Sequence, residues 1–215
     1  MENTTKNEIS NRDNKKSEDL LEYFNPHKQF MDGTETFTFN GSALPNTIKD
    51  YWCWAFSDLY NNIYRGILAE YIVATALRIT PPQGNFQRVV WNPFDLLSKS
   101  GKRIEVKCGA YLQSWDGDFS KINFSIAPAR VYNTVTKDFD ATLQRNNDVY
   151  VFCIFKAMSR EISPLNLDYW EFLVLPTRVL DMKVPKQKNI SITSLKKLNP
   201  LSVKYDQLYD AIENC

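Results

Sequence analysis

Asp95-Leu96-Leu97-Ser98-Lys99-Ser100-Gly101-Lys102-Arg103-Ile104-Glu105-Val106-Lys107 is the stretch whose reading decides the fold. It divides into a strand ending Pro93-Phe94-Asp95-Leu96-Leu97, a turn over Lys99-Ser100-Gly101-Lys102, and a second strand, Arg103-Ile104-Glu105-Val106-Lys107-Cys108. Side chains alternate faces along a strand, so Ile104, Val106 and Cys108 point one way and Glu105 and Lys107 the other. Pairing the two strands through the glycine-containing turn brings Asp95 toward Glu105 and gathers two carboxylates and one ammonium on a small patch of sheet. Such a patch suits a divalent cation beside a positive charge.

The rest of the chain limits what that patch can belong to. A length of 215 residues, 43% hydrophobic and 13% aromatic, predicts one globular domain with a real core. Lys and Arg total 26 against 25 Asp and Glu, so any surface for a polyanion must be local. Cys53, Cys108, Cys153 and Cys215 form no CxxC pair, which argues against structural zinc and thioredoxin-like chemistry. His27 is the only histidine and sits in a polar leader, against Ser-His-Asp, Cys-His and His-zinc catalysis. With 7 glycines and no GxxxxGK[ST] motif, a P-loop is excluded. No apolar run approaches the roughly 20 residues of a membrane helix and no signal-peptide core opens the chain, so a cytoplasmic setting is expected. The chemistry therefore falls to carboxylates, lysine or a cofactor.

Taken in order, residues 1–19 are a polar leader with too little apolar surface to offset ordering entropy. Residues 20–46 are expected to form an aromatic arm packed on the body, with a short strand at Thr36-Phe37-Thr38-Phe39 before breaks at Gly41 and Pro45. A single α/β domain is expected over 47–215. Thr47 to Leu77 reads as one or two helices stopped by Thr80-Pro81-Pro82, with Ile63, Ile67, Ala74 and Leu77 as an apolar stripe on which Glu70 also falls. Beyond the hairpin, Ile122 to Ile126 alternates as a half-buried strand, and 127–147 reads as a polar surface excursion. The unbroken apolar run Val149 to Phe155 predicts the middle of the sheet. Glu171 to Leu175 is a further strand, with Thr177 capping a short helix, and Tyr205, Leu208, Tyr209 and Ile212 space a closing amphipathic helix.

A helix carrying Glu70, then Asp95, then Glu105-Val106-Lys107 in an apolar strand resembles the PD-(D/E)XK nuclease superfamily. The helix phrase Gly66-Ile67-Leu68-Ala69-Glu70 and the strand phrase Ile104-Glu105-Val106-Lys107 both have its form, and the resemblance runs from Asn61 to Thr177. Pro93 stands two residues before Asp95, where the superfamily pattern has it directly before. The resemblance implies a restriction-endonuclease-like α/β core, a mixed β-sheet flanked by helices. It further implies a Mg²⁺- or Mn²⁺-dependent endonuclease acting on DNA, in restriction or defence by analogy, as a homodimer or with a partner subunit. The helix between the third and fourth core strands has two possible places: inside 127–147, or elsewhere with Ile122 to Ile126 as an insertion.

Asp95, Glu105 and the Val106 backbone carbonyl are hard oxygen donors suited to Mg²⁺ or Mn²⁺, and Glu70 completes the set. Lys107 is placed to orient or deprotonate the attacking water. Gln113, Lys102 and Arg103 are candidate nucleic-acid contacts, although a basic turn is commonly just solvated. Trp91 and Trp115 read as packing residues. The alternative from another class is a catalytically silent nuclease fold serving as a nucleic-acid-binding or assembly subunit, against which the intact acids and lysine speak.

Overall fold

The structure, a computed structural model, describes residues 30–81, 84, 88, 93–115, 119–133, 138–139 and 141–215. The expected leader, His27 and Trp91 lie outside the described residues. The first elements are a hairpin, β1 (Thr36–Phe39) and β2 (Ser42–Thr47), closed by Asn40-Gly41 with φ of 49° and 74°. Asn-Gly at two positive φ values matches the right-handed twist of the flanking strands. Pro45 does not break the chain as expected. It sits inside β2, where a two-stranded ribbon leaves an edge that needs no donor.

Thr47 then caps α1 (Ile48–Phe56) in a capping box with Asp50. No residue of α1 is buried, and Phe37, Phe39, Leu44, Tyr51 and Trp54 are all exposed. The expectation of a packed arm is therefore not met over this stretch: hairpin and helix stand out from the body, with Phe56 meeting the Tyr64 ring at 5.3 Å. The following helix, α2 (Asn62–Ala76), is capped by Asn61 and ends with Arg78 in the left-handed region at φ 57°, ahead of the prolines. Its buried face is Ala69, Ile72, Val73 and Ala74, followed by Leu77, so the predicted stripe holds at Ala74 and Leu77 but not at Ile63, which is 66% exposed. The helix is apolar most of the way round, which leaves its rotation to the sheet it packs on.

The remaining elements are β3 (Leu96–Leu97), β4 (Arg103–Ala110), β5 (Asn123–Ser125), β6 (Tyr132–Asn133), β7 (Asp138–Phe139), β8 (Val149–Phe155), β9 (Trp170–Pro176), α3 (Thr177–Lys183), β10 (Asn189–Ser191), α4 (Ile192–Lys196), β11 (Leu201–Val203) and α5 (Leu208–Glu213). Five of them form a mixed sheet in the order β11-β9-β8-β4-β3, in which β4 and β8 are parallel and the other pairs antiparallel. All seven residues of β8 are buried at the centre, as an apolar run without alternation requires. One sheet face, with Ile104, Val106, Val151 and Phe155, packs against α2 and α5. The other, with Tyr150, Phe152, Leu173 and Leu175, packs against a separate β5–β10 ribbon and the leucines of α3 and α4.

The strand around Phe124 thus belongs to a ribbon outside the main sheet, and no helix lies between β4 and β8 among the described residues. The reading of 127–147 as surface is corrected at its end, where Arg145, Asn146 and Asn147 are buried. Arg145 Nη1 pairs with Asp181 at 2.6 Å and its Nε donates to the Ile126 carbonyl at 2.9 Å, tying the ribbon to α3. Asn147 donates to the Thr177 hydroxyl at 2.8 Å; Thr177 is the first residue of α3 rather than its cap, a place taken by Pro176.

At Gly109 the ribbon packs tightly on β4. A Cβ there would lie 2.6 Å from Cγ2 of Ile122 and 3.1 Å from the Phe124 ring. Gly109→Ala is expected to destabilise the chain by about 1–3 kcal/mol in urea unfolding, the cost of overpacking; an unchanged midpoint would contradict this packing.

Candidate active site

β3 pairs with β4 only at Leu96–Ile104 and Leu97–Arg103. Beyond that point the same edge of β4 carries Asp95 in place of a strand. The Asp95 N–H donates to the Ile104 carbonyl at 3.0 Å, and its Oδ2 accepts from the Val106 N–H at 2.7 Å. Asp95 is thereby fastened on both sides of Glu105. Glu105 and Lys107 share the sheet face opposite Ile104 and Val106, and Lys107 Nζ donates to Glu105 Oε1 at 2.5 Å. Glu70 comes from α2, which covers the Ile104 face, so it approaches across the open edge of β4. There Arg88 grips it through Nε at 2.5 Å and Nη2 at 3.0 Å.

Glu70, Asp95 and Glu105, with Lys107 and Arg88, therefore lie within electrostatic reach of one another beside β4. Burial raises the pKa of Asp95 above the ordinary carboxylate value, against the pull of the Val106 amide and Lys107. Burial also raises Glu105, and the charge of Asp95 adds to the effect while Lys107 opposes it. Glu70 is raised by burial too, with the Arg88 hydrogen bonds pulling the other way. These are the two causes that push an acid up, lost hydration and like charge nearby. Arg88 is raised in turn by Glu70. Among the described residues no three His, Cys, Asp or Glu side chains stand close enough to hold a metal ion as they are; Glu105 is turned onto Lys107 and Glu70 onto Arg88.

Residues 45–197 match the family model of bacteriophage T4 endonuclease IV, which is more than half of the chain. The chain belongs to the bacteriophage T4 endonuclease IV family. That family is one of endonucleases, which puts the chain among the nucleases. The match takes in α2, the β3–β4 hairpin and every member of the carboxylate–lysine cluster. No curated protein matches the chain. No helix among the described residues is long and apolar enough to cross a membrane.

In this T4 endonuclease IV family member the other predicted contacts have partners within the chain. Gln113 Oε1 accepts from Arg65 Nη2 at 2.8 Å, and its Nε2 donates to the Ala110 carbonyl at 3.2 Å. Arg65 itself is 1% exposed on α2, a buried arginine that periodicity gave no reason to expect. Arg103 pairs with Asp148 at 2.6 Å, joining the start of β4 to the start of β8. Lys102 Nζ donates to the carbonyls of Ile212, Glu213 and Cys215 at 3.1, 2.8 and 2.9 Å, where a cation satisfies the carbonyl end of α5. Lys102→Ala is accordingly expected to cost about 1–2 kcal/mol of stability and to leave nucleic-acid affinity unchanged; weaker binding at unchanged stability would reverse that assignment. Trp115 is not a packing residue, being 57% exposed beyond β4. Two polar residues of the site escaped sequence reasoning. Arg88 lies far from the motif, and Tyr150, level with Glu105 in the β4–β8 register, is hidden in an apolar run.

Proposed function

We propose that the chain is a divalent-metal-dependent endonuclease of the PD-(D/E)XK type that hydrolyses phosphodiester bonds in DNA. The observation that carries the reading is that Asp95, Glu105, Lys107 and Glu70 lie within electrostatic reach of one another beside β4, with all three carboxylates pushed up by burial. Crowded, poorly hydrated carboxylates favour a cation, and Mg²⁺ and Mn²⁺ prefer hard oxygen donors. The donors in this chain are Asp95, Glu105, Glu70 and the Val106 carbonyl. The Val106 N–H faces Asp95, and in a strand the carbonyl of the same residue faces the same edge.

When bound, the ion supplies positive charge at the phosphate, where negative charge grows during in-line attack. Asp95 is held rigidly by its two backbone contacts and acts as a fixed donor. Glu105 would help hold the ion, and Lys107, on the same strand face, would orient the attacking water and manage its proton. Glu70 would complete the donor set, and the Arg88 guanidinium beside it would be available to a phosphate oxygen. DNA as the substrate, and a role in restriction or defence, follow the superfamily resemblance.

The test is incubation with supercoiled plasmid, single-stranded DNA and RNA in Mg²⁺, in Mn²⁺ and in EDTA. Cutting of DNA that stops in EDTA and returns with excess Mg²⁺ is the expected result. Undiminished cutting in EDTA would remove the metal from the proposal, and preferential cutting of RNA would remove DNA.

A further inference from the structure

The hairpin and helix that stand out from the body carry an apolar surface of their own. Phe37 and Phe39 alternate onto one face of β1, and Tyr51 and Trp54 lie three apart on one side of α1. Phe37, Leu44, Tyr51 and Trp54 line a common groove of about 450 Å³, so strand and helix contribute to one continuous patch. Phe39 is 67% and Trp54 84% exposed. Among the residues lining the groove only Asp50 is charged, and its carboxylate accepts from the Thr47 N–H at 2.7 Å and the Thr47 hydroxyl at 2.9 Å.

A two-stranded ribbon is marginal by itself in water, and α1 has no buried residue with which to support it. Such an arm needs a cover wherever the chain folds. Nucleic acid does not suit it: residues 30–56 carry Asp32, Glu35 and Asp50 against Lys49 alone and no arginine, whereas nucleic-acid strands are held in cationic grooves. A second copy of the chain is present wherever the chain is made, and an isologous contact sets the apolar patch against itself with no unpaired charge to bury. The area is sufficient. With about 150–250 Å² per aromatic side chain, the exposed parts of Phe37, Phe39, Tyr51 and Trp54 amount to on the order of 500 Å² per protomer. Across a two-fold axis that doubles to about 1,000 Å² before any polar rim is added, the size at which specific interfaces begin.

We propose that Phe37, Phe39, Leu44, Tyr51 and Trp54 form the interface of a two-fold homodimer joined arm to arm. The interface lies on elements that carry none of the carboxylate–lysine cluster, so the proposal stands or falls independently of the catalytic reading.

The experiment is sedimentation velocity of the full chain from sub-micromolar to tens of micromolar concentration. A species of twice the monomer mass is expected at the upper end, dissociating on dilution as an interface of this size does. Phe39→Lys and Trp54→Lys are each expected to raise the dimer dissociation constant about thirtyfold or more, the effect of losing an aromatic anchor. The double variant should stay monomeric throughout, with the far-ultraviolet circular dichroism of the wild type. Trp115→Lys, at an exposed tryptophan outside the arm, should dimerise as the wild type does. Hydrogen exchange of the wild type gives a readout free of substitutions: amides of residues 36–56 should gain protection as concentration rises. A wild type that is monomeric at every concentration, or a double variant that dimerises as the wild type does, overturns the proposal. Arm amides whose protection ignores chain concentration, or rises only when DNA or another protein is added, overturn it as well.

Discussion

Lys107→Ala is expected to slow DNA cleavage by about 10²–10⁴-fold with little change in KM, the loss associated with a positioned proton-transfer group. Its ammonium contacts Glu105 at 2.5 Å within a cluster that is mostly buried, so removing it leaves Glu105 without that partner and even more inclined to hold a proton. The pH at which cleavage reaches half its maximum should rise as a result, a readout that a purely structural lysine would not move. Asp95→Asn tests the neighbouring role with less disturbance. Its amide oxygen can still accept from the Val106 N–H, which Asp95 does at 2.7 Å, while the charge is gone. Cleavage should fall by at least 10²-fold with the fold retained. Residues acting as one unit are not additive, so the double variant should be scarcely slower than the worse single one. Cleavage that survives both substitutions would place the activity away from this hairpin.

Divalent metal should stabilise the chain, and the gain should depend on pH. The raised pKa values of Glu70, Asp95 and Glu105 mean that the folded chain holds these protons more tightly than the unfolded chain. Their contribution to stability is therefore most favourable below the unfolded carboxylate values near ~4, declines as pH rises through the raised values, and stays low above them. Asp148 runs the other way. The Arg103 hydrogen bonds and charge, overcoming the opposing effect of burial, hold it below its ordinary value, so its contribution is present at neutral pH and lost as pH falls through that lowered value. A divalent ion replaces protons in the cluster, so at pH 8 a concentration one hundred times its Kd should add about 2.7 kcal/mol, or about 5–10 °C in Tm for a chain of this size. Near pH 4 the increment should shrink toward zero, because protonated carboxylates are poor ligands. Glu105→Gln should remove most of the increment at pH 8. A Tm indifferent to Mg²⁺ and Mn²⁺ at pH 8 would count against a metal centre formed by these residues.

The hairpin was legible because its information is local. A glycine turn, alternation over five residues and an acid just ahead of the first strand are enough to bring Asp95 and Glu105 together, as the Asp95 contacts to Ile104 and Val106 bear out. The central place of β8 was legible for a similar reason, since seven consecutive apolar residues have no face to give to water. The rotation of α2 was legible only towards its C-terminal end, where Ala74 and Leu77 are buried as expected. Ile63 and Ala69 look equally apolar on paper, and only the sheet beneath selects Ala69, Ile72 and Val73 for burial.

By itself, the sequence determined the α/β class, the pairing of the β3–β4 hairpin, the central place of β8 and the residue types available for chemistry, because these rest on periodicity and on contacts between neighbours in the chain. The tertiary structure decided which charges meet. It brought Arg88 onto Glu70 and sent Lys102 to the end of α5 and Gln113 to the buried Arg65. Those partners come from distant parts of the chain. What joins them is the burial of polar groups that must find a charge or a hydrogen bond wherever packing allows one.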